Sequence, residues 1–252
     1  MQIAGIQKIT LVDFPGHVAA TIFTRGCSFR CPFCHNPELV LPEKYSALLD
    51  EQQVFDFLET RYGKLTGICI TGGEPLMQPD IDNFISHLKA LSFDVKLDTN
   101  GSYPDMLEKI IKDGDVDYIA MDIKNSLVKY AQTAIPNDKS SVIPDLIGNP
   151  GKQNISKAKN EKLQKDILRS IKLVMESGID YEFRTTVCKP IHEVADFEEL
   201  GLMIKGAKRY FLQNFVQSKH VNSTKEYLPL SSKELLEAKK IMENYVDEVG
   251  VR

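Results

Sequence analysis

The chain has 252 residues and a formal net charge of −4, and 42% of its residues are apolar and 26% charged. This composition is typical of a globular protein long enough to bury a proper core, and we expect one domain, residues 1–252. The weak negative charge excludes an overall attraction to nucleic acid or anionic lipid, and no apolar run predicts a membrane span. Because no basic stretch leads into an apolar run near Met1, we expect a cytoplasmic protein.

Short apolar stretches alternate with helical patterns from residue 18 onward. Strands are predicted at 18–24, 67–71, 93–98, 118–123, 181–187 and 209–213. Helices are predicted between and after them, at 46–62, 79–91, 104–113, 162–177, 194–205 and 232–249. This alternation predicts an α/β fold with a parallel sheet. Since eight units close a full barrel, we expect an open, partial (βα)6 TIM-like barrel.

One polar segment interrupts the alternation between the fourth strand and its helix. Residues 137–161 are rich in Asn, Lys, Ser, Pro and Gly and contain Asn149-Pro150-Gly151. We predict an inserted, partly disordered loop there. Because it follows a strand, it would lie on the face where parallel barrels carry their active sites. It is either a tolerated surface insertion, which we favour, or a lid or docking segment.

Three of the five cysteines, Cys27, Cys31 and Cys34, follow the first predicted strand in a C-x3-C-x2-C run. This spacing is typical of metal ligands and not of disulfides, and soft thiolates select an iron–sulfur cluster or zinc. Because either centre normally takes four protein ligands, three cysteines favour a cluster with one iron left open. Cys69 and Cys188 lie alone in apolar strands, and we predict that they are core residues and not a fourth ligand.

Candidate ligand-binding residues follow the remaining strands at their carboxyl ends, where parallel sheets bind ligands. They are Gly72, Gly73 and Glu74 after the second strand, Asp98 and Thr99 after the third, Asp122 and Lys124 after the fourth, Arg184 on the fifth and Gln213 on the sixth. Glu74 can hold an ammonium group, and Asp98 a ribose or a cation. A turn or a surface salt bridge is the structural alternative for most of them. An unpaired buried arginine is costly, so Arg184 indicates a pocket or an anionic partner.

Taken together, these motifs resemble those of radical S-adenosylmethionine (SAM) enzymes. The string Gly-Cys-x3-Cys-x2-Cys-His-Asn-Pro-Glu, which ends at Glu38, resembles the activating enzymes of glycyl-radical enzymes such as pyruvate formate-lyase and anaerobic ribonucleotide reductase. The opening residues 5–16, Gly-Ile-Gln-Lys-Ile-Thr-Leu-Val-Asp-Phe-Pro-Gly, are most similar to the activating proteins of anaerobic ribonucleoside-triphosphate reductases. The motifs at 98–101, 121–124 and 183–187 agree with that likeness, which covers residues 1–130 and 165–215.

The resemblance implies a [4Fe–4S] cluster held by Cys27, Cys31 and Cys34, with SAM on the fourth iron. It implies these further contacts to SAM: Phe33 and His35 on the adenine side, Gly72, Gly73 and Glu74 at the methionine amino group, Asp122 and Lys124 at the ribose and carboxylate, and Arg184 from a matching strand motif. Asp98 and Thr99 match a monovalent-cation position of some relatives. Gln213 stands where pyruvate formate-lyase activators carry a histidine.

The resemblance also implies the reaction and the partners. The reduced cluster would cleave SAM, and the 5′-deoxyadenosyl radical would take a hydrogen atom from a glycine of the partner enzyme. We expect that partner to be anaerobic ribonucleotide reductase, with pyruvate formate-lyase or another glycyl-radical enzyme as the alternative. A flavodoxin or ferredoxin is the expected electron donor. A non-catalytic iron–sulfur or zinc module is the alternative of another class, and the missing fourth cysteine and the polar strand ends disfavour it.

Overall fold

The computed structural model describes residues 1–134, 150–217, 221 and 227–252, and only the backbone of residues 150–156. Within these ranges the strands are β1 (Ile3–Thr10), β2 (Ala19–Thr24), β3 (Gly67–Gly72), β4 (Asp94–Thr99), β5 (Tyr118–Asp122), β6 (Asp180–Val187), β7 (Arg209–Asn214) and β8 (Glu248–Val251). The α-helices are α1 (Pro37–Val40), α2 (Glu51–Glu59), α3 (Ile81–Ala90), α4 (Pro104–Asp113), α5 (Leu127–Ala134), α6 (Pro150–Glu176), α7 (Asp196–Met203) and α8 (Ser232–Met242). None of the described helices is both long and apolar enough to cross a lipid bilayer.

The described strands form one sheet in sequential order from β1 to β8. β1 runs antiparallel to β2, and every later pair of neighbours is parallel. Parallel neighbours need crossover connections, which the helices provide. The predicted α/β fold with an open, partial barrel is confirmed. The six predicted strands are β2 to β7, and β1 and β8 extend the sheet at its two edges.

The sequence pattern does not predict the two edge strands. The helix predicted at 232–249 is wrong in its last part, because α8 ends at Met242 and β8 begins at Glu248. β8 has only four residues, and a Cβ on Gly250 would lie 2.6 Å from the ring of Phe211. A short strand that contains a glycine has little pattern of its own, so its pairing with β7 decides its structure.

The structure corrects the loop predicted at 137–161. Helix α6 begins at Pro150, so residues 150–161 are helical, while residues 137–149 lie outside the described residues. Proline is tolerated in the first turn of a helix, and the Lys, Glu, Gln and Leu residues that follow are good helix formers, although the first three are polar. Four buried residues at helical spacing pack α6 against the core: Leu163, Ile167, Ile171 and Val174.

A buried aromatic ring closes the sheet at the amino ends of its strands. Phe14, between β1 and β2, is 2% exposed, stacks on His17 at 4.0 Å and lies 6.0 Å from the ring of Tyr118. A Cβ on Gly67, the first residue of β3, would lie 2.7 Å from the Phe14 ring. With the amino ends closed in this way, a ligand approaches from the carboxyl ends, as in other parallel barrels.

Replacing Phe14 with alanine is expected to lower the free energy of unfolding by about 3 kcal/mol, because the variant loses a buried ring and gains a cavity. Val12 lies in the same loop and is 83% exposed. Val12→Ala is therefore the matched control and should change the free energy of unfolding by less than about 0.5 kcal/mol. Urea denaturation followed by circular dichroism measures both changes. Equal losses in the two variants would contradict the closing role of Phe14.

Candidate active site

The carboxyl ends of β2 to β6 surround a cavity of about 230 Å³. Its wall contains nearly all of the site residues expected from the sequence: Cys27, Cys31, Phe33, Cys34, His35, Gly72, Gly73, Glu74, Asp98, Thr99, Asp122, Lys124 and Arg184. These residues come from five separate stretches of chain. The sequential strand order brings them to one place, since each strand delivers its last residues to the same edge of the sheet.

The three cysteines lie on the loop that follows β2. Cys27 and Cys31 are each 8% exposed, and Cys34 is half-buried. The backbone N–H of Arg30 donates to the carbonyl of Ala134 at the end of α5 (2.9 Å). The guanidinium Nη1 of Arg30 donates to the carbonyl of Cys27 (3.1 Å). Arg30 therefore helps to fix the loop through two backbone carbonyls, one in the loop and one in α5.

Helix α5 supports the cysteine loop, and the sequence pattern does not predict this helix. The ring of Tyr130 is fully buried and lies 6.5 Å from that of Phe29, edge to face. The hydroxyl of Tyr130 donates to the carbonyl of Asp122 (3.5 Å). Tyr130 thus connects the cysteine loop to the end of β5. The helix is too short, at eight residues, to give a clear periodic pattern.

The three thiols suit a soft metal centre. Burial raises the pKa of Cys27 to about 12 and that of Cys31 to about 11, and it also raises the pKa of Cys34. A thiolate in such surroundings needs a positive partner, and a bound metal ion deprotonates a coordinating thiol outright. Three sulfur donors line one cavity with Lys124, although no three described Cys, His, Asp or Glu side chains are placed to hold a single metal ion. The donor set therefore suits a cluster of several iron atoms.

Two glycines allow the ends of β2 and β3 to touch. Gly72 has φ +117°, and a Cβ on Gly73 would lie 1.9 Å from the carbonyl oxygen of Gly26. The N–H of Gly73 donates to the Thr24 carbonyl (2.9 Å), and the N–H of Glu74 donates to the Gly26 carbonyl (2.7 Å). Because its amide is used in this way, Gly73 can offer a ligand only its carbonyl oxygen, which suits an ammonium group.

The side chain of Glu74 is fully buried and joins the ends of β3 and β4. Its Oε1 accepts from Thr99 Oγ1 (2.7 Å) and from the Leu76 N–H (3.2 Å), and its Oε2 accepts from the Asn100 N–H (2.7 Å). Burial raises the pKa of Glu74 to about 7, although these donors oppose the shift. The carboxylate of Glu74 therefore has three donors within the chain, and its contact with an ammonium group stays a prediction.

A row of five charged side chains runs from a buried lysine to the cavity wall. Arg184 lies at its centre, where Nε donates to Asp122 (2.7 Å) and Nη2 to Asp98 (3.0 Å). Lys124 donates to Asp122 (3.0 Å), and Lys96 donates to the other oxygen of Asp98. Although burial acts to raise the pKa of each aspartate, these cations hold both pKa values below the usual range. Arg184 is therefore paired with two carboxylates, and the ends of β4, β5 and β6 are held together.

The two predicted aromatic contacts lie in the cavity wall, whereas Gln213 lies outside it. Phe33 and His35 both line the cavity. Phe33 is 3% exposed, and His35 stacks on Phe215 at 5.1 Å. Gln213 is absent from the residues that line this cavity, although its sheet partner Thr186 is one of them. A ligand contact by Gln213 stays a prediction.

Sequence reasoning missed two side chains that support the wall. Asn100 Nδ2 donates to Cys27 Sγ (3.6 Å), a contact that its position in Asp-Thr-Asn-Gly could have suggested. His192 is buried, and its Nδ1 accepts from the Cys188 N–H (3.1 Å), so its Nε2 donates to the carbonyl of Lys124 (2.9 Å). His192 has no such sequence signal, because its partners lie on distant segments.

The remaining two cysteines are core residues, as predicted. Cys69 and Cys188 are both fully buried, and neither lines the cavity. Cys69 Sγ lies 3.7 Å from Lys96 Nζ. The cavity therefore has three cysteines in its wall and no fourth among the described residues.

Comparison with known proteins assigns the family. The model of the radical SAM superfamily matches residues 21–201. A candidate glycyl-radical enzyme activating enzyme of Methanocaldococcus jannaschii is 28% identical over 252 residues, covering 99% of this chain and 95% of that protein. The pyruvate formate-lyase-activating enzyme of Clostridium pasteurianum is 32% identical over 134 residues, covering 49% of this chain and 52% of that enzyme. The chain belongs to the radical SAM superfamily.

Solved structures share the fold at low sequence identity. Streptococcus suis SuiB bound to its precursor peptide SuiA gives a TM-score of 0.58 at 14% identity, over 91% of this chain and 48% of SuiB. TYW1 with a lysine-pyruvate adduct gives 0.56 at 13% identity, over 90% of this chain and 73% of TYW1. These likenesses concern the fold alone.

Membership of this superfamily confirms the two main cofactors expected from the sequence, a [4Fe–4S] cluster and SAM. It also makes the chain an enzyme, so the alternative of a non-catalytic iron–sulfur or zinc module is set aside. The roles of the single wall residues toward these cofactors stay predictions.

Replacing Gly73 with alanine is expected to lower the free energy of unfolding by about 3 kcal/mol, because its Cβ would overlap the Gly26 carbonyl. The iron content after anaerobic reconstitution should also fall, since the chain leaving β2 must move. Gly5 lies in β1 with nothing within 4 Å of a Cβ, so Gly5→Ala is the control and should be neutral or slightly stabilising. Urea denaturation and iron analysis check the two effects. A Gly73→Ala protein as stable as wild type would refute the close contact.

The raised pKa of Glu74 predicts a pH effect of definite sign. Its folded-state pKa of about 7 lies above the ordinary value of 4.5, so the folded chain binds this proton more tightly than the unfolded chain. The resulting stability is present below pH 4.5 and is lost as the pH rises through 7. Glu74→Gln cannot ionise, so its free energy of unfolding should fall less steeply over this range, by up to about 1 kcal/mol per pH unit. Urea denaturation of the cluster-free protein at several pH values gives the two slopes, and parallel slopes would contradict the assignment.

Proposed function

We propose that this protein is a radical SAM activating enzyme that generates a glycyl radical on a partner enzyme, and that the partner is anaerobic ribonucleoside-triphosphate reductase. The observation that carries the proposal is the likeness to a candidate activating enzyme along almost the whole of both chains, 99% of this one and 95% of the other. The cavity with three thiols supports it, because the cysteine run continues into the His-Asn-Pro-Glu tail typical of activating enzymes.

The cavity wall offers suitable groups to both cofactors. Cys27, Cys31 and Cys34 would hold the cluster, and the carbonyl oxygen of Gly73 would accept from the ammonium group of SAM. Lys124 would face the carboxylate of SAM, while Asp122 would accept from its ribose hydroxyls. When bound, the cluster and SAM supply the one-electron chemistry that removes a hydrogen atom from a glycine.

The chain itself orients these groups and excludes water from them. Arg184 keeps Asp122 ionised and fixed in place, so this carboxylate is ready to accept hydrogen bonds. Phe29 and Phe33 are 2% and 3% exposed and form the apolar part of the wall. Exclusion of water by such side chains protects a reactive site from side reactions.

The choice of the reductase as target rests on the opening residues 5–16. Phe14 of that segment closes the amino ends of the strands. It precedes β2, whereas the cysteines follow β2 at the other end of the strand. The likeness therefore supports this choice of target through a feature of the fold and not through a contact with the target. A flavodoxin or ferredoxin would supply the electron.

A second candidate target is pyruvate formate-lyase. The specific observation in its favour is the 32% identity of 134 residues with the activating enzyme of Clostridium pasteurianum. That match covers half of each chain, and the cysteine run is common to both groups of activating enzymes.

Anaerobic incubation with each target separates the two proposals. The reconstituted protein, a chemical reductant and SAM are mixed with the reductase large subunit or with pyruvate formate-lyase, and the glycyl doublet is sought by electron paramagnetic resonance. We expect the doublet on the reductase, and none with Cys31→Ala, which lacks one cluster ligand. Cys69→Ala is the control, because Cys69 lies outside the cavity wall.

A doublet on pyruvate formate-lyase alone would overturn the choice of target. Cleavage of SAM without a doublet on either partner would overturn both proposed targets. A Cys31→Ala protein that still cleaves SAM would overturn the assignment of the cluster ligands.

A further inference from the structure

Lys96 is a buried lysine that the proposed reaction does not use. It lies on β4, it is 2% exposed, and its ammonium donates to Asp98 and lies 3.7 Å from Cys69 Sγ. Removing an ammonium group from water is costly unless it is paired. A lysine at such a position therefore has a partner that needs a positive charge, and that partner is Asp98.

The carboxylate of Asp98 has a cation at each of its oxygens. Lys96 donates to Oδ1, and Arg184 Nη2 donates to Oδ2 at 3.0 Å. The neighbouring Thr99 is also engaged, since its Oγ1 donates to Glu74 (2.7 Å) and accepts from the Gly101 N–H (3.0 Å). An alkali ion needs several oxygen ligands, and each side-chain oxygen of Asp98 and Thr99 already has a partner within the chain. The residues do not fit the monovalent cation that the resemblance predicts at Asp98 and Thr99.

The charge balance of the row gives the same result. Lys96, Arg184 and Lys124 face Asp98 and Asp122, so the five side chains already carry one net positive charge. A monovalent metal ion beside them would add a second positive charge in a buried place. The ammonium of Lys96 supplies the same single charge at the same carboxylate.

We propose that the ammonium of Lys96 takes the place of a monovalent metal ion in this protein. Lys96 is a positioning residue: it fixes Asp98, which shares Arg184 with Asp122 on the cavity wall. Without Lys96, Arg184 has to neutralise Asp98 alone, and its hold on Asp122 weakens. The inference rests on the proposed function only in taking the cavity as the SAM site, and it is independent of the target enzyme.

The reconstituted holoenzyme tests this proposal in two salts of equal ionic strength, potassium chloride and tetramethylammonium chloride. Two quantities are measured in each salt: the midpoint of thermal unfolding without SAM, and the dissociation constant for SAM. Wild type should give the same values in both salts. Lys96→Met is nearly isosteric and uncharged, so it should bind SAM about tenfold more weakly in tetramethylammonium chloride.

Rescue by an alkali ion is the result that a merely structural role would not give. The space left beside Asp98 in Lys96→Met can take a small cation but not tetramethylammonium. Potassium or sodium should therefore raise the midpoint of thermal unfolding of this variant and restore at least part of its SAM affinity, since a ligand that binds only the folded state stabilises it. Lys109→Met removes an exposed lysine that is also paired with an aspartate, Asp82, and should behave as wild type in both salts.

Wild-type protein that needs potassium or sodium for its SAM affinity or its thermal stability would overturn the proposal. So would a folded Lys96→Met protein that matches wild type in tetramethylammonium chloride. If Lys96→Met does not fold, the comparison of wild type in the two salts still tests whether the protein needs an alkali ion. Lys96→Arg keeps the charge and should also be insensitive to alkali ions. If SAM binds in no arm, the proposed function fails, whereas the thermal midpoints without SAM still report on Lys96.

Discussion

The cavity depends on one close contact, that between the backbones of Gly26 and Gly73. A side chain at residue 73 would overlap the Gly26 carbonyl, and two hydrogen bonds from the 73 and 74 amides fix the turn that leads from β2 into Cys27. Backbone geometry therefore sets the position of the first cysteine. A glycine at a strand end is often explained by an approaching ligand, but here the approaching group is a neighbouring strand.

The other strand ends are joined by buried side chains instead of backbone contacts. Glu74 connects β3 to β4, and Arg184 connects β4, β5 and β6 through two aspartates. Buried charges add little net stability, because desolvation offsets their attraction. Their effect is geometric, since hydrogen bonds hold both carboxylate oxygens of Asp98 and both of Asp122. The wall is thus preorganised before any ligand enters it.

The sequence predicts the six parallel strands and most of the wall, because apolar strands ending in polar residues are a local pattern. It does not predict β8 or α5, which are short and depend on their neighbours. It also suggests an ammonium contact at Glu74 and a ribose or cation contact at Asp98, but it does not reveal the partners that both residues have within the chain, because these come from another strand or from a strand interior. Lys96 gives no signal of its own, because a lysine within a strand usually indicates an exposed position.

The closing loop with Phe14 and the Gly26–Gly73 contact lie at opposite ends of β2. This strand is largely buried, with no alternation of apolar and polar residues to specify which face is which. A slip of one residue against β3 would cost it little apolar burial, yet it would shift Cys27 by about 3.3 Å and reverse every side chain. The two end contacts remove that ambiguity, each from its own side. The position of the cysteine loop therefore depends on Phe14, before the strand, as well as on Gly73, beside its end.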